Sequence, residues 1–185
     1  PRGIDLFKYI GNKFYSYFLK KIKSNKVAYP STIMIEVTNH CNLKCITCAR
    51  EYLFGDQMDK GFMEFEKLKK IVDEAYPYID SIGLTGLGET FLYKDIINAV
   101  NYIKSKSEGI IVSCSINAHL NNSVDIVSQL VNKIDTIQIS MDGIGDSYNK
   151  VRLMGDFQFF EENLKKISKL TYNTDTDIII NSVIV

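Results

Sequence analysis

The sequence predicts an α/β fold, a partial (β/α) barrel of parallel strands with about five βα units and an N-terminal amphipathic helix. Short β-rich runs alternate with helical segments of ten or more residues, the order typical of βαβ units. Polar or glycine-containing segments follow four of these runs, as expected at the carboxyl ends of parallel strands. An open doubly wound sheet fits the same pattern. The length of 185 residues suits one domain, or one domain with an appendage.

The first 30 residues form a segment with strong positive charge. They contain seven Lys or Arg residues and one acid, and apolar side chains recur at helical spacing at Phe7, Ile10, Phe14, Tyr17, Phe18 and Ile22. This pattern predicts a basic amphipathic helix, which Tyr29-Pro30 separates from a core domain over residues 31–185. We expect its apolar face to cap one end of that core. Peripheral contact with an anionic membrane surface or with a partner is the less favoured alternative.

The core domain contains five predicted strands and four predicted helices in alternation. The strands lie at 32–38, 79–85, 109–116, 134–141 and 177–185, and the helices at 63–76, 94–106, 122–131 and 157–170. Apolar residues spaced by three or four mark the helices, and β-branched residues are frequent in the strands. The last strand ends the sequence without a helix to cover it, so we expect a chain that is truncated at its C-terminus.

The charge balance disfavours several classes of protein. Lys plus Arg and Asp plus Glu both number 22, which gives no net charge at neutral pH. A nucleic-acid partner is therefore not expected, because there is no overall basic field and the aromatic residues lack basic interleaving. No run of 18 apolar residues exists, and lysines interrupt the N-terminal apolar residues too often for a signal peptide. We therefore expect a cytoplasmic protein.

Three cysteines, Cys41, Cys45 and Cys48, crowd into eight positions with C-x3-C-x2-C spacing. Three kinds of site are compatible with that spacing. Structural zinc would need a fourth ligand, such as Cys114 or a histidine. A redox dithiol would use Cys45 and Cys48 and leave Cys41 unexplained. An iron–sulfur cubane, which we favour, uses three thiolates from one loop and leaves its fourth iron open to a ligand.

Residues 36–48, Glu-Val-Thr-Asn-His-Cys-Asn-Leu-Lys-Cys-Ile-Thr-Cys, strongly resemble the cluster loop of radical S-adenosylmethionine (radical SAM) enzymes. In that family three cysteines hold a [4Fe-4S] cluster, and the open iron binds the methionine moiety of S-adenosylmethionine. The resemblance covers most of residues 32–185 and is strongest to SPASM-type maturases, which modify peptides or proteins. It implies that Cys41, Cys45 and Cys48 are the metal ligands.

The same resemblance assigns residues to the binding of S-adenosylmethionine. Residues Gly86, Leu87, Gly88 and Glu89 resemble the glycine-rich motif after the second strand. Glycines there let the backbone approach the ligand, and the acid accepts a hydrogen bond from its ammonium group. Alternatively, Glu89 favours the start of the following helix. Asn117 stands where relatives carry Thr-Asn-Gly, but the glycine is missing, so a ligand role and a structural role for Asn117 are evenly balanced.

Residues 137–143 and the turn beyond them resemble the fourth strand of the family and its loop. By that resemblance Ser140 contacts the bound S-adenosylmethionine and Arg152 pairs with its carboxylate. Asp142 binds the ribose or orders the loop. Structural hydrogen bonding is the alternative for Ser140 and Asp142. Thr47 stands where many relatives carry an aromatic residue near the adenine, which leaves the adenine contact unassigned.

Three further residues have chemistry that the motifs do not use. Cys114 lies within a predicted strand, where we expect a small buried apolar side chain. His40 precedes the first cysteine of the cluster, and we expect loop packing or a hydrogen bond from it. His119 is predicted to be an exposed loop residue.

The resemblance implies an iron–sulfur enzyme that cleaves S-adenosylmethionine reductively and uses the 5′-deoxyadenosyl radical to abstract hydrogen. A peptide or protein substrate and an electron donor such as flavodoxin or ferredoxin would be its partners. Activation of glycyl-radical enzymes and cofactor biosynthesis are alternatives within the family. Outside that activity, a zinc-stabilised binding module and a catalytically degenerate fragment are the alternatives.

Overall fold

Strands and helices alternate along the chain, as predicted. The computed structural model describes residues 5–52 and 55–183. The elements are α1 (Asp5–Lys21), β1 (Thr32–Ile35), β2 (Lys44–Cys45), α2 (Phe65–Ala75), β3 (Ser81–Leu84), α3 (Ile96–Lys106), β4 (Ile111–Ile116), α4 (Ser123–Leu130), β5 (Thr136–Ser140), α5 (Asp146–Val151), β6 (Arg152–Leu153), α6 (Phe157–Thr171) and β7 (Asp177–Asn181).

Five strands form one parallel sheet in the order β1-β3-β4-β5-β7. At least one α-helix separates each of these strands from the next along the chain. The spatial order follows the chain order and never reverses, whereas a doubly wound sheet reverses at its switch point. The sheet therefore confirms the predicted partial (β/α) barrel of parallel strands and disfavours the doubly wound alternative.

Side-chain alternation along the strands gives the sheet one apolar and one more polar face. In β4, Val112, Cys114 and Ile116 are buried and belong to the same core cluster as apolar residues of α2, α3, α4 and α6. Burying one such aliphatic side chain contributes about 1.5–3 kcal/mol. On the other face Ser115 donates a hydrogen bond to Gln138 at 3.3 Å. The apolar face therefore holds the helices, and the polar face is left for other contacts.

Some elements differ from the sequence-based prediction because their signals are short or local. Strand β1 ends at Ile35, since Val37 accepts from the Met63 N–H at 2.8 Å and Thr38 forms an antiparallel bridge with Phe62. Helix α5 has six residues, and strands β2 and β6 have two residues each, which is too few for a periodic pattern. Strand β7 ends at Asn181, and the predicted extension includes 184–185, which lie outside the described residues.

Helix α1 forms as predicted but docks through the opposite face. Of its apolar side chains that the structure describes, Leu19 alone is buried, while Phe7 and Phe14 are 83% and 70% exposed. The contacts with the rest of the chain are polar, and they include Asn12 and Lys13. The prediction that the apolar face caps the core is therefore wrong. No helix within residues 5–52 and 55–183 is long and apolar enough to cross a membrane.

Candidate active site

A pocket at the carboxyl ends of β1, β3, β4 and β5 contains every residue that the motifs single out. Loops that follow parallel strands meet at one edge of the sheet, which is why residues far apart in sequence converge there. The pocket is lined by Cys41, Cys45, Cys48, Gly86, Gly88, Glu89, Asn117, Ser140, Asp142 and Arg152. The structure thus brings all ten predicted site residues together.

The three clustered thiols are free and half-buried. Cys41 Sγ accepts hydrogen bonds from the Leu43 N–H at 3.5 Å and from Asn117 Nδ2 at 3.7 Å. The Cys48 N–H donates to the Cys45 carbonyl at 3.1 Å, which tightens the second half of the loop. Donors directed at a sulfur stabilise its thiolate form, the form that binds iron.

Burial and nearby charge act in opposite directions on these thiols. Burial raises the pKa of the Cys41 thiol, and the Leu43 N–H and the charge of Arg50 oppose that rise. Burial also raises the pKa of the Cys45 thiol, which the positive charge of Arg152 opposes. Without a metal the two sulfurs therefore favour the protonated state, and a metal that binds here displaces protons.

Two residues that the motifs did not identify hold the cysteine loop in shape. Arg50 is buried and donates from Nη2 to the Leu43 carbonyl at 2.7 Å. Asn42 donates to the His119 carbonyl at 2.9 Å and accepts from Asn117 Nδ2 at 2.8 Å. Neither residue belongs to a periodic pattern, so the only sequence signal was their position inside and directly after the cysteine motif.

The glycine-rich loop packs directly against the backbone of the cysteine loop. A Cβ atom at Gly88 would lie 2.3 Å from the Thr38 carbonyl oxygen and 2.6 Å from that of His40. At Gly86 the nearest atom would be a carboxylate oxygen of Glu36, a side chain that can move. Gly88 is therefore required by contact between the two loops, a reason separate from the predicted approach of a ligand to the backbone.

Glu89 is 2% exposed and connects two loops of the site. Its Oε1 accepts from the Phe91 N–H at 3.1 Å, and its Oε2 accepts from the Asn117 N–H at 2.6 Å. Burial raises the pKa of this carboxyl to about 7, against the effect of the two N–H donors. The contact with Phe91 caps the 3-10 turn Thr90–Leu92, whereas the helix whose start Glu89 was predicted to favour, α3, begins at Ile96 after Asp95. A carboxylate has about four lone-pair positions, so this group can accept further hydrogen bonds.

Asn117 is buried between the cysteine loop and the end of β4. Its Oδ1 accepts from the His119 N–H at 2.8 Å, and its Nδ2 reaches Cys41 Sγ. The next residue, Ala118, has φ of 54°, a left-handed conformation that favours glycine. The glycine missing from the Thr-Asn-Gly pattern therefore falls at a position where the backbone conformation would suit it.

A buried ion pair closes the far side of the pocket. Arg152 Nη2 lies 2.8 Å from Asp142 Oδ2, and Asp142 Oδ1 accepts from the Val183 N–H at 2.9 Å. Asp142 thus connects Arg152, at the far end of its own loop, with the segment after β7. Arg152 Nε is buried and has no hydrogen-bond partner among the residues that the structure describes. Ser140 ends β5 on the same pocket wall.

Strands β2 and β6 bring this arginine to the second cysteine. They pair antiparallel, with Cys45 opposite Arg152, and the Ile46 N–H donates to the Val151 carbonyl at 2.9 Å. The pairing places a fixed positive charge beside a thiol, which sequence reasoning could not anticipate from two-residue strands.

The remaining cysteine and histidines occupy structural positions. Cys114 is buried in β4, as predicted. His40 stacks on Phe62 with ring centroids 4.6 Å apart, which confirms the predicted packing role. His119 was predicted to be exposed, but it is half-buried. Its Nε2 accepts from the Asp156 N–H at 3.1 Å, and burial lowers its pKa. That prediction was wrong because the helix α6 region folds back over the loop.

The donor set can be compared with what a cluster needs. Three half-buried thiols come from one loop, and the buried Arg152 lies opposite Cys45. A cubane takes three thiolates from one loop on separate irons and leaves its fourth iron open. The residues present therefore fit a [4Fe-4S] cluster.

This chain is similar to parts of several longer, curated proteins. It is 25% identical over 123 residues to the tungsten-containing aldehyde ferredoxin oxidoreductase cofactor-modifying protein of Pyrococcus furiosus, covering 65% of this chain and 33% of the relative. It is 28% identical over 143 residues to a probable GTP 3′,8-cyclase of Pyrococcus horikoshii, covering 76% and 43%. It is 25% identical over 136 residues to the antilisterial bacteriocin subtilosin biosynthesis protein AlbA of Bacillus subtilis, covering 73% and 29%. The chain thus spans less than half the length of these relatives.

Solved structures share the fold. Streptococcus suis SuiB bound to S-adenosylmethionine matches 93% of this chain and 38% of its own, with a TM-score of 0.66 and 19% identity. Native anSMEcpe with bound AdoMet, which is S-adenosylmethionine, matches 84% and 44%, with a TM-score of 0.63 and 22% identity. The same protein with bound AdoMet and the Kp18Cys peptide matches 83% and 42%, with a TM-score of 0.61 and 19% identity.

The family assignment rests on a match to a family pattern that covers more than half of the chain. The Radical SAM superfamily pattern matches residues 35–184, which include the cysteine loop, the glycine-rich loop and the buried ion pair. Members of the superfamily use a [4Fe-4S] cluster and S-adenosylmethionine. The cysteine spacing, the order of the sheet and this match agree, and the chain belongs to the radical SAM superfamily.

Proposed function

We propose that this chain holds a [4Fe-4S] cluster through Cys41, Cys45 and Cys48 and cleaves S-adenosylmethionine reductively. The convergence of these thiols with seven other motif residues in one pocket supports the proposal. A cluster held there and reduced by an electron donor would supply the one electron that breaks the C5′–S bond of the sulfonium, giving methionine and a 5′-deoxyadenosyl radical able to abstract hydrogen from a substrate.

The cysteine loop would present its sulfurs as thiolates. The Leu43 N–H and Asn117 Nδ2 donate toward Cys41 Sγ, and Arg152 lies opposite Cys45. Hydrogen bonds and positive charge near cluster sulfurs are general means of setting a reduction potential. These three residues would therefore tune the potential as well as hold the loop.

The glycine-rich loop would receive the amino group of S-adenosylmethionine. Glu89 is a buried acid of the pocket and retains free lone-pair positions after its two backbone contacts. An ammonium group beside it would offset the burial that raises its pKa to about 7. Gly86 and Gly88 keep the adjacent backbone free of side chains.

The opposite wall would receive the carboxylate and the nucleoside. Arg152 Nε is a buried donor without a partner among the described residues, which fits an anionic ligand group. Asp142 would fix the arginine or bind the ribose, with Ser140 beside it. A neighbouring cavity of about 410 Å³ shares Asp142 and Val183 with the site, and we assign the adenine end to it.

We further propose a peptide or protein substrate, a flavodoxin or ferredoxin as electron donor, and a cytoplasmic location. The name of AlbA, a subtilosin biosynthesis protein, and the peptide bound to anSMEcpe support the substrate class. GTP, the substrate named for the cyclases, is the competing small molecule. If GTP stimulated the production of 5′-deoxyadenosine and peptides did not, the proposal of a peptide substrate would be excluded.

Anaerobic reconstitution with iron and sulfide tests the cluster. We expect about four irons per chain, visible iron–sulfur absorbance and formation of 5′-deoxyadenosine after dithionite reduction. Single substitutions Cys41→Ser, Cys45→Ser and Cys48→Ser should remove that activity. The matched control is Cys114→Ala, which alters a cysteine outside the loop and should leave the iron content unchanged.

The alternatives give different results in the same assay. A zinc-stabilised module would be colourless and retain one tightly bound zinc ion. A degenerate fragment would take up the cluster but form no 5′-deoxyadenosine. Full cleavage activity in Cys45→Ser would contradict the proposed ligand set.

A further inference from the structure

Helix α1 and the residue that follows it carry an apolar surface that the core does not cover and that only Lys21, near its C-terminal end, interrupts. We call it the α1 stripe, and it consists of Leu6, Phe7, Ile10, Phe14, Tyr17, Phe18 and Ile22, all exposed. At 3.6 residues per turn these positions cover roughly half of the helix circumference over a length of about 25 Å. Isolated exposed apolar residues are ordinary, but a contiguous stripe of this size indicates an interaction surface.

Polar contacts hold the stripe outward. Asn12 exchanges two hydrogen bonds with the backbone of Tyr29, both at 3.0 Å. Lys13 donates to Ser31 Oγ at 2.9 Å and pairs with Asp80, which also accepts from Tyr9. Asn12 and Tyr9 lie on the side of α1 opposite Phe7 and Phe14, and Lys13 lies at the edge of the stripe. The docking of α1 on the core therefore exposes its apolar side instead of burying it.

The charge around the stripe has one sign. Residues 6–31 contain six lysines and no acid. By helix geometry Lys8 and Lys20 border the stripe, and Lys21 lies over the Tyr17 ring at 5.5 Å from its centroid. Long lysine stems can lie along an apolar surface while the ammonium group reaches water or phosphate. Basic borders around an aromatic stripe are typical of helices that lie in a membrane interface.

We propose that α1 docks the protein on the surface of an anionic lipid membrane, with the α1 stripe inserted at the level of the headgroups. The uniform positive charge complements anionic lipid, which favours this occupant over a protein groove. In this position the polar side of α1 faces the core, and the core stays in water. This surface lies apart from the residues assigned to S-adenosylmethionine.

Vesicle binding with a single tryptophan tests the proposal. The chain contains no tryptophan, so Phe14→Trp places one fluorophore in the stripe, and Tyr172→Trp places one at an exposed site far from it in sequence. With phosphatidylcholine vesicles that contain phosphatidylglycerol, we expect a blue shift for Phe14→Trp and none for Tyr172→Trp. Pure phosphatidylcholine vesicles should give much weaker binding.

Charge and apolar variants separate the two contributions. Lys20→Gln with Lys21→Gln should weaken partition about 30-fold, since each lysine near an anionic surface contributes about fivefold. Phe7→Glu with Phe14→Glu should abolish flotation with vesicles, and an unchanged far-UV circular dichroism spectrum shows that the fold is kept. Lack of binding by the parent chain to anionic vesicles overturns the proposal. If the parent chain formed dimers and did not bind vesicles, and if Phe7→Glu with Phe14→Glu abolished those dimers, the stripe would instead be a contact with a second copy of the chain.

Discussion

The candidate active site and helix α1 place polar and apolar groups in opposite ways. At the site, Glu89, Asp142 and Arg152 are each less than 8% exposed and hydrogen-bond to groups within the chain. At α1, the polar contacts of Lys13 with Ser31 and Asp80 are partly exposed, while Phe7 is solvent-exposed. Both regions are held by polar contacts, but water can replace them only at α1.

This difference determines what each contact contributes. A buried polar group that loses its partner keeps its desolvation cost, which is about twice the net value of the contact and more for a charged group. A half-exposed group that loses its partner binds water, so little is lost. The site should therefore respond strongly to single substitutions and α1 only weakly, although the distances in the two regions are similar.

The largest expected effect is at the buried ion pair. Asp142→Ala leaves Arg152 buried and unpaired, so we expect the free energy of unfolding to fall by about 4 kcal/mol. The matched control is Glu161→Ala, which breaks the exposed pair with Lys165 at 2.7 Å and should cost less than about 0.5 kcal/mol. Urea unfolding followed by circular dichroism measures both. Equal losses in the two variants would remove the basis of the comparison.

The next effect is a pH dependence from Glu89. Its folded pKa of about 7 exceeds the ordinary value of 4.5, so the folded state holds the proton more tightly than the unfolded state. The corresponding stability is fully present below about pH 4.5 and is lost as pH rises through about 7. Between about pH 5 and pH 8 the chain without cluster should lose on the order of 2–3 kcal/mol through this group.

Glu89→Gln isolates that contribution. In this variant the free energy of unfolding should no longer fall by that amount between about pH 5 and pH 8. Urea unfolding of the chain without cluster measures it. Glu74→Gln, an exposed position on α2, should keep the parent dependence. If Glu89→Gln showed the same dependence of unfolding free energy on pH as the parent chain, another group would carry the proton.

The strands and the three-cysteine loop could be predicted because their signals are local, whereas the other seven site residues were assigned from the family resemblance. Alternation in β4 and the three-cysteine spacing each fit within a short window of the chain. The three-residue offset between prediction and structure at the end of β1 arose because Val37 and Thr38 turn away to contact Met63 and Phe62, a tertiary effect. The periodicity of one segment cannot predict contacts with residues from another segment.

The side on which α1 docks could not be derived from its own pattern. An amphipathic sequence predicts a face that avoids water, but it does not identify the covering partner. The core offers Asp80 and the backbone of Tyr29 at the docking position, and those acceptors and donors match Lys13 and Asn12. The buried contact of Arg152 with Asp142 depends likewise on the two-residue pair β2–β6, which has no periodic signal.

The smallest expected effect is at the base of α1. Asp80 and Asp135 are similarly exposed, at 35% and 37% of the side chain, and each pairs with a lysine. Asp135 also accepts from the Val112 N–H at 2.6 Å, so Asp135→Ala leaves a backbone donor of the sheet unsatisfied and should cost about 2 kcal/mol. Asp80→Ala should cost less than about 1 kcal/mol, because Tyr9 and Lys13 can turn to water.

Hydrogen exchange resolves where that small loss falls. In Asp80→Ala the amides of α1 should exchange faster, while those of β4 and β5 keep the parent rates, because a docked helix can open without unfolding the sheet. If Asp80→Ala instead lowered the unfolding free energy as much as Asp135→Ala, α1 would be an integral part of the core. Helix α1 would then be bound strongly to the core despite its exposed apolar stripe. The contrast between strong contacts at the active site and weak contacts at α1 would no longer hold.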